Sequence, residues 1–497
     1  MTFDRLAQFA FGIKFFLLLS CLAASATTNH VTSLRVQPIS VPQPAREFRA
    51  VWVATLNNID WPSRPGLSAA QQKQELTAIL NSSAYAKLNA VILQVRPNCD
   101  VIYSSTEPWS ETFSGRMGIA PEPFYDPLAF AVAEAHRRGL ELHAWFNPFR
   151  AGSSAPKFTP PSNHVSRKHP EWIHIYGRYL WLDPGERAAQ QYVINTILDV
   201  VRRYDIDGVH LDDYFYPYLE TNSAGGTIAF QDDHAWKKYL AAGGRLERDN
   251  WRRDNIDTFV QNLYQAIKAE KRWVKFGISP FGIWRPGFPA QIKGLDAYNV
   301  LYADSRKWLQ NGWIDYFAPQ LYWPASQKEQ SFPVLLQWWT EQNPKGRHLW
   351  PGLSAYRQKP AEIANEIRLT RQIGGGGDIF WSAKVLFQNR NHLADELEKI
   401  FTQPALVPAS PWLSAAEPAG PRFAVTRQDG EWRGTWSVAG AEKVWQWVWQ
   451  RKIKGTWQTE ILPGEITSKT FAADTDLAAI SAVNRYGQRS SPTAWQP

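Results

Sequence analysis

The sequence is poor in cysteine, with only Cys21 and Cys99 among its 497 residues. Because Cys21 lies in an N-terminal leader, a mature chain keeps one cysteine at most in its folded part and has no disulfide framework. Cys99 is predicted to be a small buried residue near a strand end, since no base stands beside it to activate a thiolate. Stability must therefore come from a hydrophobic core, and 44% hydrophobic residues in a chain of this length suffice for two or three domains.

The leader lacks an apolar run long enough to cross a membrane, because its apolar stretch covers only residues 15–19. Basic residues precede this stretch and small residues follow it, as in a secretory signal. Ala24-Ser25-Ala26 suits signal peptidase and predicts a signal peptide over residues 1–26. The sequence "LLSC" instead resembles a lipobox, which predicts cleavage before Cys21 and lipidation of that cysteine. Both routes predict an exported protein, in the periplasm or as an outer-membrane lipoprotein whose lipid anchors it to the membrane.

The sequence has no cluster of charges of one sign. Its 54 Lys and Arg residues outnumber its 46 Asp and Glu residues, and the net charge is +8. This excess favours contact with acidic surfaces, such as membrane phosphates or a carboxylate-bearing cell-wall polymer. A basic surface that contacts only solvent remains an equal alternative. Nucleic acid is not an expected partner of an exported protein, and the oligomeric state is not indicated.

Eight β-rich segments alternate with amphipathic helical patterns between residues 46 and 402. The predicted strands cover residues 49–55, 90–97, 140–148, 208–213, 274–281, 315–323, 348–355 and 378–383. Helix starts are indicated at Ser68, at Asp126 before Pro127, and at Asp249. Repeated strand–helix units predict parallel strands, and we expect a (β/α)8 TIM barrel over residues 46–402. A doubly wound open sheet is the alternative.

The C-terminal part has a different character. Residues 403–421 are rich in Pro, Ala and Ser and read as a linker. Residues 422–497 contain short alternating segments, and the last of them resemble the final strands of a fibronectin type III module. We therefore predict an all-β sandwich over residues 422–497 as an accessory domain.

Side-chain alternation assigns an inward carboxylate to the segment "GVHLDDYFYP". Val209 and Leu211 form the apolar face under the helices, so His210 and Asp212 point into the barrel. The same alternation places further polar or aromatic groups at the inward positions of other strands, at Gln94, Arg96, His143, Trp145, Asn147, Ser279, Gln320 and Tyr322. These groups converge at the carboxyl ends of the strands, where barrel enzymes keep their chemistry. Hydrogen-bonded barrel layers also contain polar residues, and for Gln94 and His143 that structural role is equally expected.

Aromatic residues at the strand ends indicate the ligand. The flat rings of Tyr214, Tyr216, Tyr322, Trp323 and Trp381 suit the apolar face and the hydroxyl groups of a pyranose. Many of the 25 tryptophans must be core residues, and we assign Trp52, Trp308 and Trp338 to that role.

Hydrolysis of a glycosidic bond needs an acid and a second carboxylate about 5 to 9 Å apart. Asp212 is predicted to be the essential carboxylate and Asp213 its partner, because two adjacent like charges raise one pKa, as a general acid requires. Loop residues Asp183, Asp304 and Glu107 remain alternatives for the second group. Arg96 and Asn147 are expected to bind substrate hydroxyls or to lower the pKa of a carboxylate.

Two other classes of protein stay open. His143, His210 and Asp212 could ligate zinc, which would make the protein a metal-dependent hydrolase, although HxH and HExxH motifs are missing. The unassigned second carboxylate also allows a non-catalytic glycan-binding lipoprotein. The preferred hypothesis, a carboxylate glycosidase, requires no metal and no cofactor.

Several long segments together carry a family resemblance. They are "FRAVWVATLNNIDWP", "YDPLAFAVAEAHRRGLELHAWFNPFR", "DIDGVHLDDYFYP", "FGISPFGIWR", "YADSRKWLQNGWIDYFAPQLYWP" and "GGDIFWSAK". Over residues 46–400 the chain resembles the bacterial glycosyl-hydrolase-like family 10, whose members are exported proteins, often lipoproteins, with a (β/α)8 barrel. The resemblance implies glycoside hydrolysis, with peptidoglycan glycan strands that lack stem peptides as the substrate, and it places the acidic site at Asp212 and Asp213. Cys99 departs from the glycine usual in the family, and the C-terminal sandwich is not general to it.

Overall fold

The computed structural model describes residues 40–440 and 443–497, so the signal peptide and the lipidation site Cys21 lie outside the described residues. Within the described ranges, no helix is both long enough and apolar enough to cross a membrane.

Eight parallel strands form a closed barrel in chain order, which confirms the predicted TIM barrel. Each strand pairs with the next one, and β8 pairs with β1. Strand β7 consists of two short parts, of which the first pairs with β6 and the second with β8, so the ring closes without an open edge. The strands are β1 Phe48–Val53, β2 Ala90–Arg96, β3 Glu141–Phe146, β4 Gly208–Leu211, β5 Lys275–Ile278, β6 Tyr316–Phe317, β7 His348–Leu349 with Gly352–Leu353, and β8 Gly377–Phe380.

A main helix follows each strand and covers the outside of the barrel. These helices are α1 Ala69–Tyr85, α2 Pro127–His136, α3 Arg187–Arg203, α4 Arg248–Glu270, α5 Ser305–Asn311, α6 Phe332–Glu341, α7 Pro360–Ile373 and α8 Leu393–Ile400. The loops add short helices at Glu111–Ser114, Val165–Lys168, Asp233–Ala241, Ala297–Val300 and Ala383–Phe387, and an antiparallel sheet of Arg150–Ser153, Ile173–Tyr176 and Tyr179–Leu182.

The helix start signals act as expected at two of the three predicted positions. Ser68 and Gln71 form a capping box on α1, and the Asp126 carboxylate accepts a hydrogen bond from the backbone N–H of Ala129 ahead of Pro127. The third helix start differs from the prediction: α4 begins at Arg248, and Asp249 lies in its first turn. There the carboxylate still complements the helix dipole.

Two layers of buried side chains divide the barrel. The outer layer, between strands and helices, is a large apolar cluster that includes Val209 and Leu211, as the alternation predicted. The inner layer is aromatic, with Phe48, Trp52, Trp145, Tyr316 and Trp350 among its members. These large rings fill the interior of the barrel below its mouth. A cavity inside the barrel can therefore form only at the carboxyl ends of the strands.

Cys99 is buried in the loop after β2 with φ at +56°, a conformation that favours glycine. Its thiol donates a hydrogen bond to the carbonyl oxygen of Arg150, and burial raises the pKa of the thiol to about 12. The prediction of a small buried residue is confirmed.

The C-terminal region is a β-sandwich of two antiparallel sheets, as predicted. One sheet contains Arg422–Gln428, Glu431–Ser437 and Ser468–Phe471, and the other contains Gln446–Ile453, Thr456–Pro463, Thr475–Val483 and Thr493–Trp495. Tryptophans 436, 447 and 449 form the centre of its core together with Phe471. This core is separate from that of the barrel.

The sandwich contacts the amino-terminal end of the barrel, away from the mouth. The Arg485 guanidinium donates a hydrogen bond to Asp205 and forms an ion pair with Asp207, and both aspartates precede β4. The Gln446 amide donates a hydrogen bond to the carbonyl oxygen of Gly139, which precedes β3. The segment 403–421 also contacts the barrel: Ala405–Leu406 pairs in parallel with Ala45–Arg46.

Helix α7 contains a buried carboxyl group that makes stability depend on pH. Glu366 is fully buried and neither carboxyl oxygen has a hydrogen-bond partner; burial, with Glu362 and Asp378 nearby, raises its pKa to about 9. Because the pKa of Glu366 is higher in the folded than in the unfolded protein, its protonation contributes fully to the unfolding free energy below the unfolded pKa. That contribution is lost as the pH rises towards the pKa of the folded protein. We expect Glu366→Gln to flatten the decline in unfolding free energy from about pH 5 to pH 8, by up to about 1.4 kcal/mol per pH unit.

Denaturant unfolding at a series of pH values measures this slope. Glu341→Gln, a change of an exposed residue on α6, serves as the control and should leave the slope as it is in the wild type. Equal slopes for Glu366→Gln and the wild type would show that Glu366 does not take up a proton on folding.

Candidate active site

A cavity of about 260 Å³ opens at the carboxyl ends of the barrel strands. Its lining combines aromatic rings, amides and two carboxylates, and every barrel strand except β7 contributes to it, directly or through the loop that follows the strand. The lining residues are Trp52, Ala54, Leu56, Ile59, Gln94, Trp145, Asn147, Arg150, His210, Asp212, Asp213, Tyr214, Ser279, Gln320, Tyr322 and Trp381. The predicted site residues that meet in this cavity are Trp145, Asn147, His210, Asp212, Asp213, Tyr214, Gln320, Tyr322 and Trp381.

Asp212 is the carboxylate best suited to carry a proton. It follows the last residue of β4 and is almost completely buried. The Trp145 indole donates a hydrogen bond to Oδ2 at 3.1 Å, whereas Oδ1 is buried without a partner. Burial, with the neighbouring Asp213 as the second cause, holds the pKa of Asp212 well above its ordinary value. The raised pKa favours the protonated form of the carboxyl group, and Oδ1 is left for a ligand.

Asp213 is buried beside it but is better supplied with donors. The Tyr218 hydroxyl donates a hydrogen bond to Oδ2. Burial raises the pKa of Asp213, and the hydrogen bonds from Tyr218 and Gln320 oppose that rise because they stabilise the charged form. Of the two adjacent carboxyl groups, Asp213 therefore has the stronger hydrogen-bond support for its charged form.

Three indole rings line the cavity together with the carboxylates. The Trp381 ring lies edge-on to Trp52 and Trp145, with ring centroids 6.2 Å and 6.1 Å apart. The assignment of Trp52 to the core was incomplete, because its buried ring also lines the cavity. With the rings of Tyr214 and Tyr322, these indoles give the cavity the flat apolar walls that sugar rings require.

A chain of hydrogen bonds runs down the barrel axis from the cavity. Trp52 Nε1 donates a hydrogen bond to His210 Nε2. His210 therefore carries its proton on Nδ1, and this N–H donates a hydrogen bond to the Tyr316 hydroxyl. That hydroxyl in turn reaches His143 Nδ1, whose other ring nitrogen contacts Glu141. Burial lowers the pKa of His210 well below its ordinary value. His143 thus belongs to the layer beneath the cavity and does not line it, so its position fits the structural role given above as an equal alternative to substrate binding.

This chain also bears on the zinc alternative. Both ring nitrogens of His210 are occupied by hydrogen bonds, and His143 lies below the cavity. In the described part of the chain, no group of three or more His, Cys, Asp or Glu residues is placed to hold a metal ion.

Three other predicted binding residues lie outside the cavity. Arg96 is completely buried, pairs with Glu107 at 3.0 Å and donates to the carbonyl oxygens of Asn147 and Pro148. Tyr216 is buried against Phe230 and Tyr302. Trp323 packs edge-on against Phe281.

The loop carboxylates considered for the second acidic role are also elsewhere. Glu107 is held by Arg96 and Thr196, Asp183 by His174 and the backbone N–H of Gly185, and Asp304 caps α5 and accepts from the Trp284 indole. None of the three lines the cavity.

Arg150 is a cavity residue that the sequence argument missed. Its guanidinium lies over the rings of Tyr179 and Tyr214, at 4.9 Å and 5.5 Å from their centroids, and its positive charge opposes the larger effects that raise the pKa of Asp212. It stands three residues after Asn147, in the loop that leaves β3 at the mouth of the barrel. Its place in that loop was the available signal, because such loops build the active sites of TIM barrels.

A TIM barrel with two buried, adjacent aspartates and aromatic walls at its mouth is typical of the glycoside hydrolase class. The comparison with protein families agrees: residues 47–368 match the glycosyl hydrolase-like 10 model, and the chain belongs to that family.

Curated relatives support the membership. The glycosyl hydrolase YngK of Bacillus subtilis is 41% identical, covering 79% of this chain and 80% of its own length. The glycosyl hydrolase DigH of Escherichia coli K12 is 34% identical, covering 66% of this chain and 77% of its own.

Among solved structures, the glycoside hydrolase domain of PgaB (BpsB) from Bordetella bronchiseptica is 13% identical, with a TM-score of 0.48, covering 71% of this chain and 98% of that chain.

Proposed function

We propose that this protein is an exported hydrolase that cleaves glycosidic bonds in peptidoglycan glycan strands lacking stem peptides. The observation that carries the proposal is the buried Oδ1 of Asp212, which has no partner and lies in an aromatic-walled cavity. An unpaired buried carboxyl oxygen is costly unless a ligand uses it. The glycosidic oxygen of a bound sugar is a ligand of the right chemistry.

In this mechanism Asp212 is the general acid. Its proton passes to the leaving glycosidic oxygen, and the raised pKa keeps that proton in place until the bond breaks. Asp213 supplies the negative charge that stabilises the positive sugar ring in the transition state. Gln320, Asn147 and Arg150 line the same cavity and supply groups for the sugar hydroxyls.

Polymer binding is supported by a second cavity of about 370 Å³ beside the first. Asn57 and Ala151 line it, and they directly follow Leu56 and Arg150 of the first cavity. Asn98 is buried here with an unpartnered amide oxygen. Two adjoining cavities suit consecutive sugars of one strand.

Digestion of several purified glycans, with product analysis by mass spectrometry, tests the proposal. We expect release of disaccharide-based fragments from peptide-free peptidoglycan strands and slower or no release from strands that retain their peptides. Binding of these strands without turnover would instead support the non-catalytic glycan-binding lipoprotein.

The aromatic wall provides a matched pair of variants. Trp381→Ala removes a ring that lines the cavity, and we expect KM for glycan strands to rise about tenfold, which corresponds to about 1.4 kcal/mol of binding. Trp323→Ala removes a half-buried ring outside the cavity and should leave KM unchanged. Steady-state kinetics on the same substrate separates the two. An equal change in both variants would contradict sugar binding at Trp381.

Export and anchoring form part of the same proposal. If Cys21 is lipidated, radiolabelled palmitate will enter the protein in growing cells, and Cys21→Ala will abolish the label. Cleavage after Ala26 would leave the wild type unlabelled and put the protein in the periplasm.

The C-terminal sandwich has seven strands, in sheets of three and four strands. This strand count supports the assignment of residues 422–497 as a fibronectin type III-like accessory module.

A further inference from the structure

The two carboxylates of the cavity come from consecutive residues. Asp212 and Asp213 follow the end of β4, and their α-carbons are therefore about 3.8 Å apart. The strands on the other side of the barrel, β8 and β1, carry Trp381 and Trp52 at the cavity. Both charges thus enter from one side of the cavity, and neutral rings form the wall that faces them.

A double displacement through an enzyme carboxylate places different demands on a site. The acid must reach the leaving oxygen while the nucleophile attacks C1 from the opposite face of the sugar, so the two carboxyl groups flank the scissile bond. Consecutive residues on one side of the cavity, facing indole rings, do not provide such flanking groups. A nucleophile from the bound sugar itself resolves the mismatch, and glycosidases with substrate assistance use this route.

We propose that the 2-acetamido group of the sugar in the cavity is the nucleophile, with Asp212 as the acid and Asp213 as the acceptor of the acetamido N–H. This inference rests on the proposed function, because sugars that carry a 2-acetamido group form the strands of peptidoglycan. It identifies the substrate class as 2-acetamido glycosides and gives the second carboxylate a role that an adjacent residue can perform.

The steps balance. The acetamido carbonyl oxygen forms a bond to C1 while the bond from C1 to the leaving oxygen breaks, and the Asp212 proton moves to that oxygen. The resulting ring is an oxazolinium ion, whose N–H is held by Asp213. A water molecule then attacks C1, its proton returns to Asp212, and the C1–oxygen bond of the oxazoline breaks to restore the acetamido group. The net reaction is hydrolysis with retention at C1.

The surroundings of the carboxylates fit these roles. Trp145 donates to Asp212 Oδ2, which leaves Oδ1 free for the leaving oxygen. Tyr218 donates to Asp213 Oδ2 and fixes the side chain that must orient the amide. The rings of Trp381 and Trp145, packed edge-on, provide an apolar surface for the acetamido methyl group.

Fluorinated substrates test the nucleophile directly. Aryl 2-acetamido-2-deoxyglucosides with none, one, two or three fluorines on the acetyl methyl group are compared, because fluorine withdraws electrons from the carbonyl oxygen. We expect kcat/KM to fall steeply along the series, by more than a hundredfold from none to three. A flat series would overturn the inference.

Product stereochemistry and the Asp213 variants complete the test. We expect the initial product, followed by proton NMR, to retain its anomeric configuration, and a thiazoline analogue of N-acetylglucosamine to inhibit competitively. Asp213→Asn should lower kcat about a hundredfold with little change in KM, and Asp213→Glu should restore part of it. Inversion, or a covalent glycosyl adduct detected by mass, would overturn the inference while glycan hydrolysis still stands. The absence of hydrolysis of every glycan would overturn both.

Discussion

Asp212→Asn is expected to abolish glycan hydrolysis while the protein stays folded. The amide has the same shape as the carboxyl group and can still accept from the Trp145 indole, but it cannot transfer a proton to the leaving oxygen. General acid catalysis contributes about 10²- to 10⁴-fold, and we expect kcat on peptide-free strands to fall by about 10³-fold or more. Circular dichroism and the thermal midpoint should match those of the wild type, because burial disfavours the charged form of Asp212 and the amide that replaces it is uncharged.

The pH profile of the wild type follows from the same residue. Because Asp212 acts as an acid, kcat/KM should decline on the alkaline side of the pH profile as the proton is lost. An ordinary aspartate would lose its proton near pH 4, and the raised pKa moves this decline well above that value.

Asp304→Asn is the matched control for Asp212→Asn. Asp304 is an aspartate of a loop that follows a barrel strand at the same end of the barrel, and it lies outside the cavity. We expect its variant to keep the activity and the pH profile of the wild type. Full activity in Asp212→Asn would move the chemistry to another residue and would contradict the role given to the cavity.

The barrel and the central part of the site were predictable from sequence because both depend on local periodicity. Alternation along β4 correctly separated Val209 and Leu211 from His210 and Asp212, since a regular strand sends neighbouring side chains to opposite faces. Aromatic residues directly beyond strand ends, such as Tyr214 and Trp381, reached the cavity for the same reason.

Departures from regular strand geometry explain the residues that lie elsewhere. The pairing of β2 with β3 shifts between Gln94 and Arg96, and this irregularity turns Arg96 away from the mouth towards Glu107. Tyr216 and Trp323 stand several residues beyond Leu211 and Phe317, where β4 and β6 end, so alternation no longer determines their direction. Arg150 could not be placed because the path of its loop depends on tertiary contacts.

The contact between sandwich and barrel also depends on tertiary structure. No pattern in the sequence pairs Arg485 with Asp207, which stand 278 positions apart in the numbering. Their meeting requires both domains to be folded, and the energetic weight of the contact can therefore be measured by removing one partner.

Asp207→Asn is expected to destabilise the protein strongly without affecting the chemistry. Asp207 is buried, accepts from the backbone N–H of Leu142 and from His136 at 2.8 Å, and faces the Arg485 guanidinium at 3.3 Å. Its variant places a neutral amide beside the largely buried Arg485 guanidinium, which keeps Asp205 as its remaining carboxylate partner. Removing one partner of a buried ion pair costs about 3 to 5 kcal/mol when the other charge is left uncompensated, and we expect the unfolding free energy to fall by up to that amount. Activity per folded molecule should be retained, because Asp207 lies at the end of the barrel remote from the cavity.

The pH dependence of unfolding distinguishes this ion pair from a general packing defect. Burial disfavours the charge on Asp207, but Arg485 and His136 more than offset it and hold the pKa of Asp207 below its ordinary value. A depressed pKa gives stability that is present above the unfolded value, about 3.9, and is lost as the pH falls towards the folded one. The wild type should therefore lose stability in acid more steeply than Asp207→Asn. Glu270→Gln, which breaks an exposed pair with Arg202, should cost less than about 1 kcal/mol. A similarly small cost for Asp207→Asn would mean that the Arg485 pair does not hold the sandwich against the barrel.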